Sequence, residues 1–112
     1  MQEEFVYHYD KWWWGRSVTI ASNGGHGLCE VQFDKSFPDT AFIRGLSVTE
    51  DYRGQGIGKM LIEECERFAR NNECKYIKLD AERGGWCFEW YKRLGYQVLK
   101  RRKYIIEMIK TI

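Results

Sequence analysis

The chain has 112 residues, of which 44% are hydrophobic and 30% charged, a composition that predicts one globular domain over residues 1–112 and excludes a disordered chain. Its net charge of +2 comes from 18 basic and 16 acidic residues, too mixed a balance to indicate nucleic acid or an anionic membrane as a partner. The five Trp, seven Tyr and six Phe residues supply the large side chains that a short chain needs for its core.

The cysteines and the apolar stretches exclude two further classes. Cys29, Cys65, Cys74 and Cys87 form no Cys-x-x-Cys pair and the chain has only two His residues, so no metal site is predicted. No apolar run approaches the roughly 20 residues of a transmembrane helix, and the acidic N-terminus is not typical of a signal peptide. The sequence therefore predicts a cytoplasmic protein with reduced thiols and no membrane partner.

The first half of the chain predicts strands. Residues 5–9, 17–21, 29–34 and 41–48 alternate in polarity, and the Asn-Gly-Gly sequence at 23–25 is a strong turn signal. In the fourth strand, Phe42, Leu46 and Val48 are expected to share one face. Residues 10–16 join the first two strands and include the consecutive residues Trp12, Trp13 and Trp14. At least one of these Trp side chains should be exposed or at an interface, because neighbours in a strand face opposite ways.

The periodicity changes after residue 56. Ile57, Leu61, Cys65 and Phe68 predict a helix that runs to about residue 72, in which Glu66 and Arg70 are spaced for an ion pair. A strand over 76–81, a helix over about 86–94 and strands over 96–99 and 104–109 follow. The predicted order is β-β-β-β-α-β-α-β-β. The fold class is therefore α+β, with a mixed, mostly antiparallel sheet, a central β-α-β unit and helices packed on the sheet.

The glycine-rich turn before the first helix is the strongest functional signal. Gly54, Gly56 and Gly58 precede or begin the helix, where free amides and the positive end of the helix dipole favour a phosphate or pyrophosphate. A Walker A loop is excluded, because Arg53 stands where its first Gly is needed and Met60 where its Ser or Thr is needed. A Rossmann fingerprint is excluded because a run of hairpins comes first and its third Gly is missing.

Two segments resemble one family. Arg53-x-x-Gly56-x-Gly58 is similar to the Arg/Gln-x-x-Gly-x-Gly/Ala signature of the Gcn5-related N-acetyltransferase (GNAT) family. The segment from Trp90 to Tyr96 resembles that family's Leu-Tyr-x-x-Leu-Gly-Phe segment, in the family's order and spacing. The resemblance covers about residues 41–98.

The resemblance implies an acetyl-CoA-dependent N-acyltransferase in which the amine attacks the thioester directly. Acetyl-CoA would be a co-substrate, and no metal would be required. The implied pantetheine contacts are the backbone groups of Leu46, Ser47 and Val48, and Tyr91 would lie beside the sulfur. The implied pyrophosphate contacts belong to the glycine-rich turn: Arg53, Gly54, Gln55, Gly56, Ile57, Gly58 and Lys59.

The chain departs from the family at two points. Gly84 stands where the family often has Asn, seven residues before Tyr91. The family usually has two helices between its first two strands, and here only residues 10–16 are available, so this would be a minimal-size member with those helices reduced or absent. An open acceptor mouth, lined by the exposed Trp of residues 12–14 or closed by a second subunit, is therefore expected.

The chemistry suggests roles for three residues. Tyr91 is a candidate general acid for the departing thiolate, and Asp80 or Glu82 is a candidate base for the amine. The amine acceptor is a small molecule or a polypeptide, and a homodimer is open. Two alternatives remain: an acyl-CoA-binding module without catalysis, and a protein-interaction domain that uses the Trp cluster.

Overall fold

The computed structural model describes residues 4–112. Across these residues one mixed sheet carries two α-helices, in the order that the sequence predicts. The strands pair in the order β1-β2-β3-β4-β5-β7-β6, and of the pairs described only β4 with β5 is parallel. The strands are β1 (Phe5–Trp12), β2 (Gly15–Ser22), β3 (Gly27–Asp34), β4 (Thr40–Val48), β5 (Tyr76–Glu82), β6 (Gln97–Arg101) and β7 (Ile105–Thr111), and the helices are α1 (Ile57–Asn71) and α2 (Cys87–Arg93).

A two-residue turn replaces any helix between β1 and β2. Trp12 pairs with Gly15, so Trp13 and Trp14 form the tip of a hairpin. Trp13 is 85% exposed, which confirms that this cluster has an exposed member. Trp12 stacks on Trp14, with ring centroids 6.1 Å apart, and donates a hydrogen bond from Nε1 to the Ser17 hydroxyl at 2.9 Å. The predicted absence of helices between these strands is therefore confirmed for the described residues.

Both helices lie on one face of the sheet. The α1 stripe of Ile57, Leu61, Cys65 and Ala69 is buried against Val18, Ile20, Cys29 and Val31 on β2 and β3, as alternation along the strands requires. A Cβ added at Gly58 of α1 would lie 3.2 Å from Cη2 of Trp90 in α2, so the two helices approach each other closely. Neither helix within residues 4–112 has the length and apolar character that a membrane crossing requires.

Glu66 belongs to the core rather than to the surface of α1. Its carboxylate accepts a hydrogen bond from the Tyr96 hydroxyl at 2.8 Å and from Lys110 Nζ at 3.1 Å. The predicted partner Arg70 lies farther away, at 4.0 Å. Glu66 is 4% exposed, so these donors replace the water that a buried carboxylate loses. This network connects α1 to β7 and to the segment after α2.

A β-bulge in β4 corrects one prediction from the sequence. Leu28 pairs with Ser47 and Glu30 with Arg44, so Gly45 and Leu46 together oppose the single residue between Leu28 and Glu30. Gly45 has φ +63°, a conformation that glycine adopts without strain. The extra residue reverses the alternation, and Phe42 therefore faces away from the helices.

Beyond the bulge, Leu46 and Val48 return to the helix face and pack against the core. The expectation that Phe42 shares their face was wrong. An alternating pattern cannot reveal one inserted residue.

Candidate functional site

A cleft of about 720 Å³ opens on the helix face, between the end of β4, the start of α1 and α2. It brings together nine of the ten predicted cofactor-binding residues and Tyr91. The residues that line it are Leu46, Ser47, Val48, Tyr52, Arg53, Gly54, Gly56, Ile57, Gly58, Lys59, Trp86, Cys87, Trp90 and Tyr91. Gln55 is the exception, and its side-chain amide points back toward the Asp51 carbonyl, 3.5 Å away.

The glycine-rich turn presents free amides to this cleft. Within the described residues, no amide from position 54 to 59 donates a hydrogen bond to another backbone group. Gly54 and Gly56 have φ values of +80° and +84°, and a Cβ added at either would meet open space. Since a side chain there would project into open space beside the cleft, the turn fits a ligand that approaches the backbone closely. The helix dipole of α1 and the cations Arg53 and Lys59 add positive charge.

The second half of β4 offers a free edge. On one side, Ser47 and Val48 pair with β3. On the other side, pairing with β5 extends only from Thr40 to Phe42, so the described part of β5 leaves the edge at residues 44–48 open. An extended ligand can therefore bind there as an added strand. The Val48 carbonyl already accepts a hydrogen bond from Arg53 Nε at 3.1 Å, which fastens the glycine-rich turn to this edge.

Tyr91 reaches the cleft from α2. Its side chain is 6% exposed, and among residues 4–112 its hydroxyl makes no hydrogen bond. Burial, with smaller contributions from Cys87, Cys29 and Cys65, raises the pKa of the Tyr91 phenol well above its ordinary value near 10. The phenol is therefore protonated at neutral pH and available as a donor. Cys87 lines the same wall, and burial followed by the nearby Glu82 carboxylate raises the pKa of its thiol, which makes it a poor nucleophile.

The two candidate bases lie outside the cleft lining. Asp80 projects from the face of β5 opposite the helices, where its Oδ2 lies 3.2 Å from Nη1 of Arg44. Glu82 ends β5, and its carboxylate lies over the turn before α2, 3.8 Å from the Cβ position of Gly85. Gly84, which stands in place of the family's Asn, has φ +81° and open space around it. Neither Asp80 nor Glu82 is among the residues that line the cleft with Tyr91.

The aromatic walls of the cleft were not predicted from the sequence. Trp86 and Trp90 lie with ring centroids 5.9 Å apart, and Tyr52 stacks on His26 at 3.6 Å. Trp86 is 69% exposed, so it rims the cleft instead of filling the core. The signal was present in the sequence, since these aromatic residues flank both motifs.

The Trp hairpin does not form part of this cleft. Gly15 pairs with Asp34 at the end of β3, and Phe33 pairs with Ala41 at the start of β4. The hairpin thus lies at the start of β4, whereas the cleft lies at its end. The hairpin therefore lies away from the cleft, and the expectation that an exposed Trp of residues 12–14 lines the acceptor mouth stays a prediction.

Comparisons with known proteins agree with this arrangement. The family model "Acetyltransferase (GNAT) family" matches residues 2–96. An uncharacterized N-acetyltransferase of Methanocaldococcus jannaschii is 26% identical over an alignment of 130 residues, which covers 98% of this chain and 56% of that relative. The chain thus spans about half the length of this relative.

Two solved structures share the fold. A GNAT family acetyltransferase from Elizabethkingia anophelis with acetyl-CoA bound is 18% identical, with a TM-score of 0.75 over 88% of this chain and 77% of that one. The PaiA N-acetyltransferase of Thermoplasma acidophilum, in complex with coenzyme A, is 19% identical, with a TM-score of 0.74 over 86% of this chain and 60% of that one. The chain belongs to the GNAT acetyltransferase family.

Proposed function

We propose that the protein transfers the acetyl group of acetyl-CoA to an amine by direct attack of the amine on the thioester. The observation that carries this proposal is the continuity of the cleft. One wall combines the free amides of the glycine-rich turn with the free edge of β4, and the opposite wall presents the protonated Tyr91. The two similar structures that contain coenzyme A or acetyl-CoA support the same co-substrate here.

The chain's groups suit the parts of this co-substrate. Amides of residues 54–59, with Arg53 and Lys59, would hold the pyrophosphate at the start of α1. The free edge at Leu46, Ser47 and Val48 would pair with the amides of the pantetheine arm. In the reaction a C–N bond forms, the C–S bond breaks, the amine nitrogen loses a proton and the sulfur gains one.

Tyr91 would supply the proton to the sulfur. Its raised pKa means that complete transfer to a thiolate, whose own pKa is near 8.5, is uphill. The phenol would therefore donate a hydrogen bond as the C–S bond lengthens, which stabilises the negative charge where it develops. Asp80 is the better-placed base for an amine that arrives from the open face of the sheet, and Glu82 for one that arrives beside α2.

One observation favours a second function. No carboxylate lines the cleft in the part of the chain that the structure describes. A protein that binds acyl-CoA without transferring the acyl group needs no base, so a non-catalytic acyl-CoA-binding module is the alternative. Both functions predict acetyl-CoA binding, and only the first predicts an acetylated amine.

Thermal or denaturant unfolding with added ligand tests the shared step. Acetyl-CoA at about 100 times its Kd should raise the free energy of unfolding by roughly 2.7 kcal/mol, and NAD or ATP at equal concentration should raise it much less. The variant Gly56→Val should abolish the effect, because its side chain would occupy the space beside the amides. Gly25→Val is the matched control: Gly25 has φ +77° and open space around it, but lies in the β2–β3 turn outside the cleft lining.

The two variants separate backbone strain from ligand binding. Both should lose stability because valine disfavours positive φ, and only Gly56→Val should lose the response to acetyl-CoA. Equal stabilisation by ATP and acetyl-CoA would contradict the assignment of the co-substrate. Mass spectrometry of an amine panel then distinguishes transfer from binding alone.

A further inference from the structure

The face of the sheet opposite the helices carries a second concave site. Both helices cover the other face, and no segment within residues 4–112 packs over this one as a helix. A hollow of about 240 Å³ lies there, across β4, β5 and β7. Its lining residues are Phe42, Arg44, Lys78, Leu79, Asp80, Arg102, Ile105 and Glu107.

The hollow lies where β4 and β5 separate. The last pair between the two strands joins Phe42 to Lys78, and Arg44 and Asp80 follow it on the diverging strands. Leu79 lies between Lys78 and Asp80 on β5 and also contributes to the lining of the hollow. The edge of β4 beyond the separation forms the wall of the acetyl-CoA cleft. The hollow and the cleft therefore approach the same gap from opposite faces.

The charges in the hollow are unequal. Three cations, Arg44, Lys78 and Arg102, face two carboxylates, which leaves a balance of +1. Asp80 pairs with Arg44 at 3.2 Å, and Glu107 pairs with Arg102. Lys78 has no carboxylate within 4.0 Å among the described residues, and its Nζ lies 5.6 Å from the centre of the Phe42 ring.

The pKa of the Glu107 carboxyl is lowered by the positive charges around it. Arg102 lowers the pKa of the Glu107 carboxyl most, and Lys78 and Lys100 lower it further. Glu107 pairs with the Arg102 guanidinium, whereas no carboxylate of the described residues lies within 4.0 Å of Lys78, so the Lys78 ammonium can bind another anion. Asp80 lies two residues farther along β5 and is 36% exposed at its side chain; it pairs with Arg44 through Oδ2 and can accept a further hydrogen bond from an ammonium group.

We propose that this hollow is the acceptor subsite and that it selects amines that also carry a carboxylate, with Asp80 facing the amine and Lys78 facing the carboxylate. The proposal rests on the proposed acetyl transfer. The hollow is smaller than the roughly 300–1,000 Å³ of pockets for drug-sized ligands, and so suits an acceptor of amino-acid size. The amine would reach the thioester through the gap between β4 and β5, on the side opposite the pantetheine.

Matched pairs of acceptors test this proposal. Acetylation of amino acids is compared with acetylation of the corresponding amino acid amides, which keep the amine and lose the negative charge. In the wild-type protein kcat/KM should be at least about 10-fold higher for the acids, mainly through KM, since a charge-assisted contact is lost in the amides. Lys78→Gln should lower kcat/KM for the acids about 10-fold, so that the ratio of acid to amide turnover approaches 1. Lys75→Gln, which removes an exposed Lys just before β5, is the control and should keep the preference.

The outcomes separate this inference from the proposed function. If acetyl-CoA does not stabilise the protein and no amine is acetylated, the proposed function fails. If amines are acetylated but acids and amides react equally, only the carboxylate selection fails. A preference that survives in Lys78→Gln, or an equal loss of acid and amide turnover in that variant, would also overturn the role of Lys78.

Discussion

Replacing Tyr91 with Phe separates its catalytic role from its packing role. The ring is 94% buried and packs against Trp90 and Tyr96, with centroids 5.2 and 6.0 Å away. Phe keeps this ring and removes only the hydroxyl. Because that hydroxyl makes no hydrogen bond within residues 4–112, the substitution leaves no described partner unsatisfied. The free energy of unfolding should therefore change by less than about 1 kcal/mol.

The expected loss of activity is much larger. A positioned general acid contributes about 10²- to 10⁴-fold to a rate, and the raised pKa of Tyr91 places its contribution at the lower end of this range. A 10²-fold fall in kcat corresponds to about 2.7 kcal/mol of transition-state stabilisation. The Kd for acetyl-CoA should stay nearly constant, since the amides and the β4 edge make most of the proposed contacts.

Tyr96→Phe is the matched control. Tyr96 is also buried, at 2% exposed, but its hydroxyl donates a hydrogen bond to Glu66. Its removal leaves a buried carboxylate with one donor fewer, which should cost about 1–3 kcal/mol of stability. Tyr96 does not line the cleft, so the turnover of the folded variant should match that of the wild type.

The assay measures CoA release per folded molecule at saturating acetyl-CoA, together with denaturant unfolding of each variant. The two variants should show opposite effects. Tyr91→Phe should lose turnover and keep its stability, and Tyr96→Phe should lose stability and keep its turnover. Wild-type turnover in folded Tyr91→Phe would refute the general acid assignment and leave Tyr91 as a core residue. A stability loss above 2 kcal/mol in Tyr91→Phe would show that the hydroxyl has a structural partner.

Two further substitutions test the cleft and the hairpin. Gly58→Ala places a Cβ 3.2 Å from Trp90, so the indole must shift. We therefore expect a several-fold higher Kd for acetyl-CoA in a calorimetric titration. The free energy of unfolding should change by less than about 1 kcal/mol, because alanine has a higher helix propensity than glycine. An unchanged Kd would show that Trp90 contributes nothing to the cleft. Trp13→Ala should leave stability within about 0.5 kcal/mol and turnover unchanged, because Trp13 is 85% exposed at the end of the sheet away from the cleft. Reduced turnover would place an acceptor contact at the hairpin, and a smaller sedimentation coefficient would show that Trp13 forms a dimer contact.

The order of elements could be predicted because each segment carries a strong local pattern. Alternation marked β1 to β4, and the helical stripe from Ile57 to Ala69 marked α1. The glycine-rich turn could be assigned as well, since positive φ and free amides follow from glycine at a helix start. Six of the nine predicted cofactor-binding residues that line the cleft belong to this turn.

The missed features depend on contacts between distant segments. Glu66 and Arg70 have the spacing of an exposed pair, yet Glu66 is buried because Tyr96 and Lys110, far along the chain, supply its donors. The position of the Trp hairpin relative to the cleft follows from the register of three strand pairs, which no single segment encodes. Asp80 and Glu82 could be named as carboxylates near the end of β5, but their distance from Tyr91 depends on the twist and separation of the strands.

One inserted residue in β4 accounts for both sides of the proposed site. The bulge at Gly45 and Leu46 bends β4 just after its last pair with β5, so the two strands separate there. On the helix face this separation leaves the β4 edge free for the pantetheine arm. On the opposite face it opens the hollow between Arg44 and Asp80. A regular β4 could continue to pair with β5, so in the proposed reaction the bulge would help an amine on one face to meet a thioester on the other.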